Sequence, residues 1–330
     1  VGLALSVFFG FAPMLLFASW IYWLDRYEKE PRLLLGTVFT WGALIAAGGA
    51  YLVNTFLGLN LYTLTQSRGL TLFASGSVIA PIVEETLKGL AVLLVFYFFR
   101  SEFDSLLDGV VYAAVAALGF AATENSYYIY QYGYKAMGYA GLFSMVFVRV
   151  LLVGWQHPFY TAFYGVGLAL ARLNRPRAIR ILAPLLGWAA AVLTHSLHNA
   201  LVRALSPLSS YTFGTLLDWS GVVILFLFIL WVTNLERLLI VEHLKEEVAL
   251  GVISAAQYRT ASWSWAQSAA GLLALSEGKY AVTRRFYQQC AELAHKKSHY
   301  ARLGDEGGNL QAIRRLRAEL ARLAPQAVTT

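Results

Sequence analysis

Seven runs of about 20 or more mostly apolar residues follow one another between residues 3 and 235, each long enough to cross the hydrocarbon core of a bilayer as a helix. Backbone in lipid must satisfy its own hydrogen bonds, so runs of this kind fold as helices packed into a bundle. They lie near 3–24, 33–58, 76–99, 107–130, 142–171, 179–203 and 213–235, separated by polar segments such as Asp25-Arg26-Tyr27-Glu28-Lys29-Glu30-Pro31. The fifth run is longer than one span requires. It carries Gln156-His157-Pro158 near its middle, where proline removes an amide donor and clashes with the preceding turn, so a count of eight also fits. From about Leu235 the composition shifts to Lys, Arg, Glu, Gln and Ala, with apolar residues at helical spacing near 236–250, 254–276, 279–303 and 308–324. The expectation is an all-α polytopic membrane helix bundle over 1–235, then a small soluble α-helical cytoplasmic domain over 236–330.

Charge and composition narrow the function classes. With 58% hydrophobic and 14% charged residues and a mean hydropathy of +0.55, the chain is a membrane protein. Its net charge of +7 follows from basic residues at helix ends, which makes nucleic acid an unneeded partner. The single cysteine, Cys290, cannot form an internal disulfide. Alternate loops differ in basic residues: Arg26, Lys29, Arg32, Arg100, Arg172, Arg175, Arg177 and Arg180 on one side, Arg68, Lys135 and Arg203 on the other. Positive charge marks the cytoplasmic side, which places the N-terminus outside and the tail in the cytoplasm. Trp20, Trp23, Trp41, Trp219 and Trp231 fall near span ends, as interfacial belts require. The tail holds 13 Lys and Arg against 9 Asp and Glu, which reads as a solvated helical surface or as a cationic face toward anionic lipid. A chain starting at Val1 implies that an upstream segment has been removed, and the first apolar run is too long and too poorly flanked for a signal peptide.

Ionisable residues inside the apolar runs carry the chemistry, because a carboxylate near the bilayer midplane costs a few kcal/mol on even the gentlest insertion scale, about 2.5 to 3.5. Glu84, Glu85 and Lys88 share the third run, after Pro81. The i,i+4 spacing of Glu84 and Lys88 allows a structural ion pair; Glu85, about 100° around the helix, then needs another partner, a proton, a metal or a water. Pro81 frees the carbonyl of Ser77 and can open the helix beside the pair. Glu124 and Asn125 end the fourth run, while Asp104 and Asp108 near its start suit the helix dipole and read as structural. His157 stands where the fifth run should break. His195, His198 and Asn199 can project from one side of the sixth. Arg149 either neutralises a carboxylate or snorkels to an interface. A carboxylate to act as base, imidazoles to orient water or hold a metal, and an amide to stabilise an oxyanion together suit hydrolysis within the membrane. No His-Glu-x-x-His, Gly-x-Ser-Gly or Gly-x-Gly-Asp motif occurs, which disfavours three other intramembrane protease chemistries.

Glu84-Glu85-x-x-Lys88, Phe120-x-x-x-Glu124-Asn125, the His157 segment with Gly165 and Gly167, and His195-x-x-His198-Asn199 resemble the PrsW family of intramembrane proteases, as does the first loop at Asp25–Pro31. The resemblance spans roughly residues 15 to 205. These proteins belong with the CAAX-prenyl endopeptidase and bacteriocin-immunity proteases, in which a histidine stands where this chain has Glu124. The resemblance implies a glutamic-type intramembrane endopeptidase in a bacterial cytoplasmic membrane, cleaving a single-span, anti-sigma-factor-like protein in regulated proteolysis. It implies catalytic roles for Glu84 as base, Glu85 as its hydrogen-bonding or metal-binding neighbour, and His195 and Asn199 on the oxyanion and water-orienting side. Glu124 and His157 complete the site, with Lys88, Asn125 and His198 in support. The analogy favours a metal-free site; zinc is the alternative, held by Glu85, Glu124, His157 and His195. Two other functions fit the same residues: a proton- or ion-coupled transporter, and a non-catalytic scaffold that binds a membrane helix.

Overall fold

In the computed structural model, which describes residues 1–305 and 308–330, every regular element described is helical. Two compact units form: Val1–Trp23, Glu30–Arg172 and Pro176–Phe228 make the first, and Leu24–Lys29, Leu173–Arg175 and Ile229–Thr330 the second. By length and composition, five helical stretches among the described residues suffice to cross a membrane: Gly2–Leu24, Arg32–Thr65, Leu106–Leu173, Arg177–Ala204 and Thr212–Ala249. The chain is therefore an all-helical polytopic membrane protein. The expected third span is absent from that set although its helix forms, because Glu84, Glu85 and Lys88 lie inside it.

In the first unit α1 covers Gly2–Leu24, and α2 (Arg32–Thr40) passes through a π-helical segment, Trp41–Ala46, into α3 (Ala47–Thr65). This helix continues past the expected end at 58 and stops where Gln66 takes a left-handed conformation. Helix α4 (Arg68–Ala74) leads through a second π segment, Ser75–Ile79, into α5 (Ala80–Phe98). The π register relocates the effect of Pro81. Ala80 donates its N–H to the Ser75 carbonyl, five residues back, so the acceptor left by proline is Gly76 rather than Ser77.

Helix α6 (Leu106–Tyr128) is the centre of the unit. Ser105 and Asp108 form a reciprocal capping box at its start, in keeping with a structural Asp108. Its Val-, Ala- and Gly-rich sequence is buried continuously from Leu107 to Ala122, as a helix apolar all round must be. Small residues set how closely its neighbours approach. A Cβ placed on Gly119 would lie 2.0 Å from the Phe39 carbonyl oxygen, and one on Gly165 would lie 2.0 Å from that of Gly109.

The expected fifth span is broken, but not by Pro158. After a π segment (Ile129–Tyr134), α7 (Lys135–Val146) reverses the chain at Gly138, continues through π residues Phe147–Leu152, and ends. Helix α8 (Gln156–Leu173) starts afresh, so Pro158 sits in a first turn, where its missing N–H costs no helical bond. Helix α9 covers Arg177–Ala204. Trp41 also departs from expectation: its indole N–H donates to the Leu87 carbonyl at 3.0 Å inside the bundle, whereas Trp20, Trp23, Trp219 and Trp231 are exposed.

Helix α10 runs unbroken from Pro207 to Ala249, through Leu235, so the change in composition there falls inside a helix. The second unit continues with α11 (Ala255–Ala261), α12 (Ser264–Ser276), α13 (Tyr280–Leu303) and α14 (Asn309–Leu323). The expected 254–276 helix is two helices, parted at Ser262-Trp263. The unit also contains the loop residues 24–29 and 173–175; Tyr27 packs in its core with Ile240, Leu244, Phe286 and Leu320. Glu247, fully buried, accepts from Arg317 Nη2 at 2.9 Å and Lys297 Nζ at 2.7 Å. Burial pushes the Cys290 thiol pKa up, which suits a structural rather than a reactive cysteine.

The contact between α6 and α8 yields a test. Gly165→Val should lower stability by about 1–3 kcal/mol or more, because the clash is with backbone that cannot rotate away; thermal unfolding in detergent measures it, and an unchanged midpoint would contradict the packing described.

Candidate active site

Helix α5 buries Glu84, Glu85 and Lys88 together, and α6, α8 and α9 bring Glu124, His157 and His195 to them. The pairing differs from the i,i+4 expectation: Lys88 Nζ lies 2.5 Å from Glu85 Oε1, one turn back at i,i+3, not on Glu84. Both spacings lie on one helix face, so tertiary partners decide between them. Glu85 is fully engaged. Its Oε1 also meets His195 Nδ1 at 2.9 Å, and its Oε2 accepts from the Thr161 hydroxyl at 2.8 Å. Lys88, completely buried, reaches His157 Nδ1 at 3.3 Å and lies 4.6 Å from the centre of the Phe120 ring.

Glu124 forms the second anchor. Its Oε2 pairs with Arg149 Nη2 and lies 3.1 Å from His157 Nε2. Arg149 thus neutralises a carboxylate; its Nε donates to Asn125 Oδ1 at 3.0 Å, and its guanidinium covers the Tyr128 ring. Glu84 is the remaining acid. Asn54 Nδ2 approaches its Oε1 only at 3.5 Å, and no donor reaches its buried Oε2, which faces His195 Nε2 at 3.8 Å.

Two expected members lie apart from this cluster. Asn199 donates its side-chain amide to the Gly76 carbonyl at 2.9 Å, the acceptor that Pro81 leaves without a backbone donor. That amide fixes the segment leading into Glu84 and Glu85, a different task from facing an oxyanion. His198 Nδ1 lies 2.8 Å from Asp218 Oδ1, which also accepts from the Tyr160 hydroxyl at 3.4 Å. Tyr160 in turn stacks on His195, ring centres 5.0 Å apart. Tyr160 and Thr161 belong to the Gln156–Thr161 cluster of the sequence but carried no role there, and Asn54 and Asp218 were not singled out; Asp218, an acid inside the seventh apolar run, is the one with a clear signal.

Glu84, His157 and His195 each offer a ligand atom, all within 4.8 Å of one another. Two imidazoles and one carboxylate are a catalytic zinc set with a position left open, and the unpartnered Glu84 oxygen is the atom such an ion would satisfy. His195 is suited further, because Glu85 on Nδ1 leaves Nε2 to face the site. His157, in contact at both nitrogens, would give up its Lys88 or Glu124 contact to hold an ion. This group contains Glu84 in place of the expected Glu85 and Glu124; Glu85 has both oxygens engaged by Lys88, His195 and Thr161, and Glu124 has its Oε2 on Arg149 and His157.

The chain is similar to several known proteases. A protease PrsW of Bacillus subtilis is 27% identical over 215 residues, covering 64% of this chain and 90% of that protein. One from Oceanobacillus iheyensis is 28% identical over 231 residues, covering 69% and 92%, and one from Clostridioides difficile is 33% identical over 118 residues, covering 36% and 48%. No solved structure matches the chain. The profile described as PrsW family intramembrane metalloprotease matches residues 30–233, leaving most of the second unit outside it, and its description runs against the metal-free expectation. Covering well over half of the sequence and every residue of the buried cluster, that match establishes that the chain belongs to the PrsW family of intramembrane proteases.

Proposed function

We propose that the chain hydrolyses a peptide bond of a single-span, anti-sigma-factor-like protein within the membrane, at a water held beside Glu84. The observation that carries this reading is the contrast among the three glutamates. Lys88 and Arg149 engage Glu85 and Glu124, and Glu84 alone keeps a buried oxygen that no donor reaches. In the absence of a cation that oxygen accepts the proton of the attacking water. Glu85 orients His195 through Nδ1, Glu124 and Arg149 orient His157, and Asn199 fixes the π segment that aims Glu84.

Glu84, His157 and His195 would hold a divalent cation of the zinc class, which when bound would acidify water and polarise the scissile carbonyl. With the cation bound, Glu84 would serve as a ligand instead of the proton acceptor, so the water would depend on it either way. Seven spans, with α5 crossing despite its charges, and an outside N-terminus complete the reading. The loop asymmetry in Lys and Arg supports that orientation, as does the packing of residues 24–29 and 173–175 in one unit with residues 229–330.

In proteoliposomes carrying a single-span reporter, Glu84→Gln and Glu85→Gln should each lower cleavage by about 100-fold or more while the protein stays folded. Cleavage that survives both changes would reject the proposal. The purified chain should retain about one zinc ion, and 1,10-phenanthroline should stop cleavage until zinc is restored. His195→Ala should lower the metal content; full activity with no metal bound would leave Glu84 as a proton acceptor alone.

A further inference from the structure

Helix α12 is inside out for a helix surrounded by water. It turns Ala266, Ala270 and Ala274 into the core of its unit and leaves Trp265, Leu272, Leu273 and Leu275 exposed, Leu272 at 70%. A water-facing helix ordinarily buries its large apolar side chains and presents polar ones. Here no residue from 264 to 276 is charged, and the exposed apolar side chains lie on one face about 15 Å long.

The start of α12 packs against the part of α10 that belongs to its own unit. Trp263 lies under the Arg237 guanidinium, 3.5 Å from its ring centre, and Arg237 Nε donates to the Ser262 carbonyl at 3.2 Å. Arg237 comes two positions after Leu235, where the mostly apolar run of α10 first gives way to charged residues, and follows the exposed Trp231. Tyr27, in the same core as Ala261 and Ala270, follows the end of α1 by three positions. The exposed face therefore begins beside the residues that follow the mostly apolar run of α10 in the chain.

We infer that α12 is an in-plane membrane helix, seating Trp265, Leu272, Leu273 and Leu275 at the junction of headgroups and acyl chains. The partner is the lipid surface itself, and the attraction is apolar rather than electrostatic. Helix α12 offers no charge, and Glu277 and Lys279 just beyond it neutralise each other at 2.8 Å. Binding should then need no anionic lipid.

The test uses the full chain in phosphatidylcholine vesicles, with a nitroxide on Leu272→Cys and, as control, on Arg315→Cys of the exposed face of α14. Cys290 is buried, and the unsubstituted chain sets the background. The oxygen-to-nickel-chelate collision ratio at position 272 should be severalfold that at 315, and unchanged by high salt. A ratio equal to the control places the face in water and overturns the inference. Shielding from both reagents reveals a protein partner, such as a second copy, and overturns it as well.

Discussion

Charge balance inside the bundle is the constraint on which the rest depends. Lys88 and Arg149 meet three glutamates, and the pairing is specific: Lys88 to Glu85, Arg149 to Glu124. Charges taken out of water are tolerated only when closely paired and hydrogen-bonded. Glu84 is left to seek a further positive charge, and the two imidazoles stand beside it. The proposed hydrolysis uses a carboxylate of this kind, buried and uncommitted, beside the two ion pairs that engage the other glutamates.

The fold serves that arrangement through close backbone approach rather than large side chains. Helix α6 carries Glu124 at the centre of the first unit, and glycine contacts hold α2 and α8 against it. The interruption at residues 153–155 lets His157 begin a new helix facing Glu124, where an unbroken one would have fixed its direction from Arg149 onward. The π segment before Pro81 acts similarly on α5. It shifts the orphaned acceptor to Gly76, within reach of Asn199, and so ties the sixth apolar run to the third.

Much of this was legible in the sequence because ionisable side chains stand out against lipid-soluble ones. Glu84, Glu85, Glu124, His157 and His195 were visible on that ground alone, and the structure brings them together. The partner of Lys88 was not, since i,i+3 and i,i+4 neighbours share a face and only Thr161 and His195 on other helices settle which glutamate is held. The place of Asn199 depended on a π register that no local pattern announces. Asp218 was overlooked although it sits in an apolar run, and Arg149 could be explained only once the π segment Phe147–Leu152 had come back against α6. The tail's helices followed from apolar spacing, but which face of α12 is buried did not, because its alanines are inside and its leucines outside.

The most direct measurement of the charge-balance claim is the unfolding free energy of Glu84→Gln, Glu85→Gln and Glu124→Gln compared in one detergent. Removing the charge of Glu85 or Glu124 strands a buried cation and should cost about 3–5 kcal/mol. Glu84→Gln should leave stability unchanged or raise it while cleavage is lost. A loss for Glu84→Gln as large as for the other two would show that Glu84 is held by a full ion pair, and would contradict the account.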